Sequence, residues 1–422
     1  MEKILRIIEK ITPKKLYTFL QPGYHLALAS IGTARYLKPS RKIYVIGVTG
    51  TKGKSSTVEF VNAVLEASGK KTAILSTIRF KVGDESRANN YKMTMPGRFF
   101  TQKFLHDAVK AGCEYAIIEM TSEGARFYRH IGVDLDALIF TNLSPEHIES
   151  HGSFEKYKAA KLRLVKHLAK SKKPHRISIA NIDGAHGYSF LIHTVDKNIS
   201  YSLKDVEIIS QTDKESVITY KNNSITVPLP GKFNIANALA ALKLAEELGI
   251  SADVAKQGIE SLKKIRGRVE RVECGQDFTV IVDYAHTDDS LRKLYEAFPH
   301  SRKIAVLGST GGGRDTWKRP VLGKIADEMC DEIIITNEDP YDEDPLKIMT
   351  DVARGVTVHT PSLILSRREA IAHALSLAKA GDTVLITGKG TDPYIMGSNG
   401  TKEKWDDVSV ACEELLKLQK KG

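Results

Sequence analysis

Cysteine is scarce in this chain. Its four cysteines, Cys113, Cys274, Cys330 and Cys412, stand far apart among 422 residues. Their spacing matches neither a zinc site nor a disulfide framework, and such sparse thiols fit a reducing cytoplasm. Long apolar runs are missing as well. No stretch of about 20 apolar residues is present to span a bilayer, and no cleavable leader is visible. Internal repeats and low-complexity tracts do not stand out, which argues against solenoids and disordered arrays. No aromatic-basic RNA-binding motif appears. The formal net charge of +11, mixed with abundant acids, therefore points to anionic small molecules rather than nucleic acid.

What is present is an ordinary globular composition, with 42% apolar and 27% charged residues. A chain of 422 residues exceeds one ordinary core and predicts two or three domains. Residues 1–40 form a basic, apolar preamble. Its Ile4, Leu5, Ile7, Ile8 and Ile11 suggest an amphipathic turn set that Pro13 stops. Residues 16–37 read as a helix packed on the next domain, with a membrane-surface helix as the alternative. Residues 41–264 alternate strands and helices, as a parallel sheet with crossover helices requires. Strands are predicted at Ile43–Ile46, Ala73–Leu75, Tyr115–Ile118 and Leu138–Phe140, an antiparallel meander near 199–228, and a helix over 234–248. Residues 265–422 begin a second alternating unit, with strands at Thr279–Val282, Lys303–Leu307, Glu332–Thr336 and Thr383–Thr387. The expected class is α/β: a P-loop ATPase-like parallel sheet, then a Rossmann-like C-terminal domain.

The stretch 43–57 carries the most chemistry. An apolar strand leads into a turn containing Gly47, Gly50 and Gly53, then Lys54, Ser55, Ser56 and an amphipathic run. Glycines let the backbone approach an anion, and first-turn N–H groups point at it. Lys54 neutralises charge and a serine hydroxyl can ligate Mg²⁺. The chain is therefore expected to bind ATP or a similar nucleotide through Gly50, Thr51, Lys52, Gly53, Lys54, Ser55 and Ser56. The spacing is unusual. Five residues separate Gly47 from Gly53, and Val48 stands where the common P-loop has glycine.

Further along, Glu119 closes a strand, where a carboxylate faces the crevice of a parallel sheet and suits a metal. The next strand runs into Thr141-Asn142-Leu143, Glu146-His147 and His151-Gly152, followed by Tyr157 and Ala160-Lys161. Two histidines within five residues, just past a strand end, are harder to assign to structure than a lone one.

Together these segments resemble the Mur ligases, in particular the muramyl-tripeptide synthetase branch. The resemblance covers about residues 43–410. It continues through Asn234 and Asn237, Gly267-Arg268-Val269-Glu270, Asp283-Tyr284-Ala285-His286-Thr287, Gly312-Gly313-Arg314-Asp315, Lys318-Arg319-Pro320 and Gly388-Lys389-Gly390. It implies an ATP- and Mg²⁺-dependent amide ligase. A muramyl-peptide carboxylate is activated to an acyl phosphate, an amino acid attacks, and ADP and phosphate leave. Two anions must meet at the γ-phosphate, so cations must neutralise them.

By the same resemblance Lys54, Glu119, His147 and Lys161 are catalytic. Ser55, Glu119, His147 and Lys161 form the metal site, with Lys161 carrying a CO₂-derived carbamate. Asn234, Asn237, Arg268, Asp283 and His286 join the nucleotide site, although Asn234 on its own reads as a helix N-cap. Thr94, Ser122 and Arg129 would touch the sugar-peptide. Gly313, Arg314, Asp315, Asp339, Tyr341, Asp342, Gly388 and Asp392 would face the amino acid. A cytoplasmic monomer is expected.

Three departures bear on specificity. Muramyl-tripeptide synthetases carry a domain of about 100 residues before the P-loop, whereas 46 residues precede Gly47 here. Reduced UDP binding or a lipid-linked acceptor would follow. The diaminopimelate motif Asp-Asn-Pro-Arg is replaced by Glu338-Asp339-Pro340-Tyr341. A phenol cannot replace a bidentate guanidinium, which counts against diaminopimelate, while Asp339 and Asp342 would suit a cationic side chain such as lysine. Thr391-Asp392 replaces His-Glu. Folylpolyglutamate synthesis is the rival within the reaction class, and a nucleotide-dependent scaffold is the rival outside it.

Overall fold

The computed structural model describes residues 27–146 and 148–420. It divides into two compact units. The first holds residues up to Gly50, Gly69–Thr141 and Lys158–Ser200. The second holds Thr51–Ser68, Asn142–Tyr157 and Tyr201 onward. The amphipathic pattern predicted at residues 4–11 lies outside the described residues. Of the segment predicted at 16–37, residues 27–35 are helical.

The first unit is built on an eight-stranded sheet. Its strands are β1 (Tyr44–Thr49), β2 (Thr72–Leu75), β3 (Arg79–Val82), β4 (Glu85–Ala88), β5 (Tyr115–Glu119), β6 (Ala137–Phe140), β7 (Ile177–Asn181) and β8 (Lys197–Tyr201), in the order β4-β3-β2-β5-β1-β6-β7-β8. From β2 to β7 the neighbours are parallel, while β3 and β4 add antiparallel at one edge. The central strands are apolar up to their C-terminal residues Thr49 and Glu119, as strands buried on both faces must be. Gly47 serves close packing here, since a Cβ on it would meet the Met120 sulfur at 2.8 Å. The edge pair β3–β4 escaped sequence reading because β4 is exposed throughout and shows no apolar alternation.

The second unit contains the helices Lys54–Ala67, Lys232–Glu247 and Ala252–Ser261, which pack together. A Cβ on Gly258 would fall 2.5 Å from the Val64 backbone, so that crossing requires glycine. A three-stranded antiparallel sheet of β9 (Glu207–Gln211), β10 (Ser216–Tyr220) and β11 (Asn223–Val227) forms the predicted meander. A six-stranded sheet orders β12 (Glu270–Arg271), β13 (Thr279–Val282), β17 (Thr383–Ile386), β14 (Lys303–Leu307), β15 (Glu332–Thr336) and β16 (Ser362–Ile364), all parallel except β12. Alternate residues feed two cores. Ile281, Ala305, Leu307, Ile335 and Leu385 face one, and Val280, Val282, Ile304, Val306 and Ile386 face the other. Helices cover both faces, so this half is the doubly wound α/β arrangement expected.

One expectation is corrected. Cys274, just after β12, and Cys412, on the helix Asp407–Gln419, form a disulfide with Cα atoms 5.8 Å apart. The bridged residues lie 138 positions apart, so no local spacing could announce the pair. A chain with this bridge does not carry the thiols of a reducing compartment alone. Among the described residues no helix is long and apolar enough to cross a membrane.

Candidate active site

Chain geometry first shapes the loop after β1. Gly53 caps the helix Lys54–Ala67 at φ 81°, a conformation that suits glycine. A Cβ there would stand 2.4 Å from Asn237 Oδ1, so the position is closed to any side chain. Asn142 clamps the loop from the other side. Its Oδ1 accepts the Lys52 N–H at 2.8 Å, its Nδ2 donates to the Lys52 carbonyl at 3.0 Å, and its carbonyl accepts the Thr51 N–H at 2.9 Å. Thr51 Oγ1 meets the Tyr157 hydroxyl at 2.9 Å, and the Lys54 ammonium donates to the Thr51 carbonyl at 2.8 Å. The loop is held open-handed by side chains, with its lysine folded over it. Such an arrangement fits a polyphosphate.

The asparagines expected at the nucleotide lie against this loop. Thr57 Oγ1 donates to Asn237 Oδ1 at 3.2 Å, and Asn237 in turn reaches Asn234 Oδ1 at 3.4 Å. Asn234 is not an N-cap. Gly231 holds that place, and the Asn234 amide donates back to the Pro230 carbonyl at 2.8 Å. Ser55 and Ser56 are both buried. Arg268 reaches Ser55 Oγ at 3.4 Å, and its guanidinium lies 4.6 Å from the Tyr284 ring centre.

Asp283 accepts the Val269 and Ala285 N–H groups at 2.7 Å each, and burial pushes its carboxyl up despite Arg268 nearby. Three residues beyond, His286 meets a group that sequence reasoning placed in a motif but gave no role. Glu146 Oε1 stands 3.0 Å from Lys52 Nζ and 2.9 Å from His286 Nε2, while Lys52 Nζ stands 3.3 Å from that same Nε2. His286 Nδ1 lies 2.6 Å from the Tyr284 carbonyl, which can only accept, so Nδ1 carries the ring proton. Burial, then Lys52, push His286 down to about 4. The 2.9 Å contact taken alone would suit an imidazolium. The neutral ring is the better account, because the Lys52 ammonium can donate to both Nε2 and Glu146. Burial lowers Lys52 as well, partly offset by Glu146. Lys318 donates to the His286 carbonyl at 3.1 Å.

In the first unit Glu119 ends β5 and is buried. Its two oxygens accept the Thr77 N–H at 2.9 Å and the Thr77 hydroxyl at 3.0 Å, and Thr77 meets Thr94 at 2.7 Å. Glu119 and Thr94 are thus joined through one threonine. Arg129 donates to the Met95 carbonyl at 2.7 Å, tying the segment after Thr94 to the turn beyond Ser122, itself buried. Lys161, fully buried on the helix Phe154–Ala169, donates to the Gly50 carbonyl at 2.6 Å. His147 lies outside the described residues. Among the described residues no group of three or more His, Cys, Asp or Glu is gathered for a metal. The oxygen donors proposed, a serine hydroxyl and a carboxylate, are the hard ligands that Mg²⁺ takes.

The residues expected at the amino acid sit beyond β14, β15 and β17. Asp339 is engaged internally. It accepts the fully buried Lys389 ammonium at 2.9 Å and the Met396 N–H at 2.8 Å. Asp392 stands 3.5 Å from the same ammonium. Asp342 accepts the Asn399 N–H at 2.7 Å. Tyr341 takes φ 53° and carries the Arg314 guanidinium 4.9 Å from its ring centre. Gly388, at φ 101°, leaves room for Glu338, whose Oε2 would lie 2.4 Å from a Cβ there. Asp315 is buried, and its N–H donates to Glu149, which also accepts the Thr316 N–H at 3.3 Å. Glu146 and Glu149, three apart beside His147, were the signal available for these two contacts.

Comparison with known proteins agrees with this geometry. Residues 48–245 match the Mur ligase middle domain, and residues 267–390 match the Mur ligase glutamate ligase domain. The chain is 35% identical to a UDP-N-acetylmuramyl-tripeptide synthetase of Roseiflexus sp. (strain RS-1), over 94% of this chain and 83% of that protein. It is also 35% identical to a UDP-N-acetylmuramoyl-L-alanyl-D-glutamate–2,6-diaminopimelate ligase of Syntrophomonas wolfei, over 93% and 82%. A solved structure of a ligase with that same diaminopimelate name superposes with TM-score 0.60 at 28% identity, covering 89% of this chain and 79% of the other. A Mycobacterium tuberculosis folylpolyglutamate synthase complexed with ADP gives TM-score 0.69 at 16% identity over 92% and 96%, a likeness of fold alone. With a phosphate loop of this build and both family domains in order, the chain belongs to the Mur ligase family.

Proposed function

We propose that the protein is an ATP-dependent acid–amino-acid ligase. It adds an amino acid to a UDP-N-acetylmuramoyl-dipeptide-like peptidoglycan precursor through an acyl phosphate, releasing ADP and phosphate. The observation that carries this reading is the clamped loop Thr51–Ser56, pressed between Asn142 and Asn237. Its backbone donors and Lys54 would hold the β- and γ-phosphates. Mg²⁺, when bound, would neutralise the two anions that meet there. Ser55, Glu119 and His147 are the proposed ligands. Lys161 is proposed to carry a carbamate, which replaces a buried cation by an anionic ligand.

Asn234, Asn237, Arg268, Asp283 and His286 are the proposed nucleotide contacts. Thr94, Ser122 and Arg129 would bind the muramyl peptide. Arg314, Asp315, Tyr341, Gly388 and Asp392 would line the amino-acid site, with Asp339 and Asp342 behind them. Residues 41–264 and 265–422 are proposed as the central and C-terminal domains of a cytoplasmic monomer.

The test is a panel measuring phosphate released from ATP, crossing muramyl-dipeptide acceptors with diaminopimelate, lysine, ornithine and glutamate. Release that needs both an acceptor and one amino acid is expected. Normal Mg-ATP binding with no release from any pair overturns the reading. Lys161→Ala is expected to lose about 100-fold in rate. Partial rescue by added short carboxylates supports the carbamate, and persisting activity without them removes it.

A further inference from the structure

A carboxylate and the ammonium it holds connect the phosphate loop to the segment after β13. Glu146 comes from the loop following β6, Lys52 from the phosphate loop, and His286 from the turn leading to the helix Asp288–Glu296. The three polar atoms form a triangle with sides of 2.9, 3.0 and 3.3 Å. The Glu146 side chain is only 7% exposed. A carboxylate so buried is costly unless paired, and the Lys52 ammonium is the charge that pairs it. The imidazole beyond that ammonium is itself fixed, through Nδ1 to the Tyr284 carbonyl and through its own carbonyl to Lys318. Tyr284 in turn stacks with Arg268, which reaches Ser55. The contacts therefore close a circuit from one end of the phosphate loop, Lys52, to the other, Ser55. Glu149, three residues beyond Glu146, separately accepts the N–H groups of Asp315 and Thr316 in the segment after β14.

We propose that Glu146 is a positioning residue for the ligase reaction: its carboxylate holds the Lys52 ammonium, which also donates to His286 Nε2, and so keeps residues 283–287 docked on the phosphate loop. This inference rests on the ligase reading above. Loss of the carboxylate leaves the loop's own clamps, Asn142 and Asn237, untouched, and it leaves the Lys52 ammonium unneutralised beside the phosphates. Glu146 thus affects turnover through the placement of the 283–287 segment, and nucleotide affinity only as far as Asp283 and His286 loosen with it.

The test uses the full chain with Glu146→Gln, His286→Gln, the double variant and Glu146→Asp. Three quantities are read: ADP affinity by calorimetry, kcat and KM for ATP by phosphate release, and amide hydrogen exchange across 283–287. Glu146→Gln is expected to lower kcat about tenfold, a coupling common for residues in one network. ADP should bind only about twofold weaker, since the loop keeps its own clamps, and exchange at 283–287 should rise about tenfold. The double variant should be no more than about twofold slower than the slower single one. Glu146→Asp should recover part of the loss.

Weaker ADP binding that parallels the fall in kcat, multiplying effects in the double variant, or unchanged exchange at 283–287 would each overturn the proposal. If Glu146→Gln does not fold, exchange in His286→Gln and Glu146→Asp decides it. Hydrogen exchange also separates the two readings. A wild-type chain inactive on every acceptor defeats the ligase assignment, while the exchange result still decides the docking.

Discussion

The phosphate loop and the segment 338–342 both follow parallel strands, yet they are built on different principles. In the loop, conformation comes from backbone and glycine: Gly53 has no room for a side chain, and Asn142 bonds to peptide groups. Such a site is written in residue order and spacing. In the 338–342 segment, conformation comes from its own acids meeting distant residues, a side-chain ammonium and backbone N–H groups. Asp339 is taken by Lys389, fifty residues on, and Asp342 by the Asn399 amide. Acids that look available for a cationic substrate in the sequence are engaged in the fold. Reaction type is thus the readable property of this enzyme and specificity the hidden one.

The contrast can be broken at several points. The largest effect is expected at the loop: Lys54→Ala should reduce phosphate release by about 10³-fold with the fold intact, measured beside circular dichroism. Next, Asp339→Ala leaves a buried lysine with the Tyr394 carbonyl and, for charge, Asp392 at longer range, and should cost about 3 kcal/mol of stability by urea unfolding. A merely substrate-facing Asp339 would leave the midpoint unchanged. Reducing the Cys274–Cys412 bridge, or Cys412→Ser, should cost about 2–4 kcal/mol by the same measurement. Nucleotide affinity should stay the same, because the bridge ties β12 to a terminal helix. The smallest effect sharpens the comparison. Tyr341→Arg should raise the relative kcat/KM for diaminopimelate about tenfold, as expected for one restored bidentate contact. No gain would mean that Arg314, now over the tyrosine ring, already serves that carboxylate.

Much of the architecture was legible. Strands at Thr279–Val282, Lys303–Leu307 and Glu332–Thr336 emerge at their predicted bounds. The reason is that a strand covered on both faces must be apolar along its interior, with polar residues such as Lys303 and Glu332 only at its ends. The edge pair β3–β4 was not legible, since an exposed strand owes its conformation to its neighbour rather than to its own residues. The disulfide was hidden for a similar reason: 138 residues of chain separate two cysteines that only packing brings together. Asn234 looked like a cap because asparagine often is one, but the helix already starts at Lys232 after Gly231, which puts Asn234 inside its first turn.

The order of glycines, lysine and hydroxyls after β1, and the alternation of strand and helix behind it, belong to the sequence alone. Local sterics and burial on two faces leave those residues few other conformations. The folded chain alone decided which charges meet. Lys52 with Glu146 and His286, and Lys389 with Asp339, are pairs set by the approach of separate loops. A charge in isolation carries no record of its partner, because Coulomb attraction depends on distances that only tertiary structure defines.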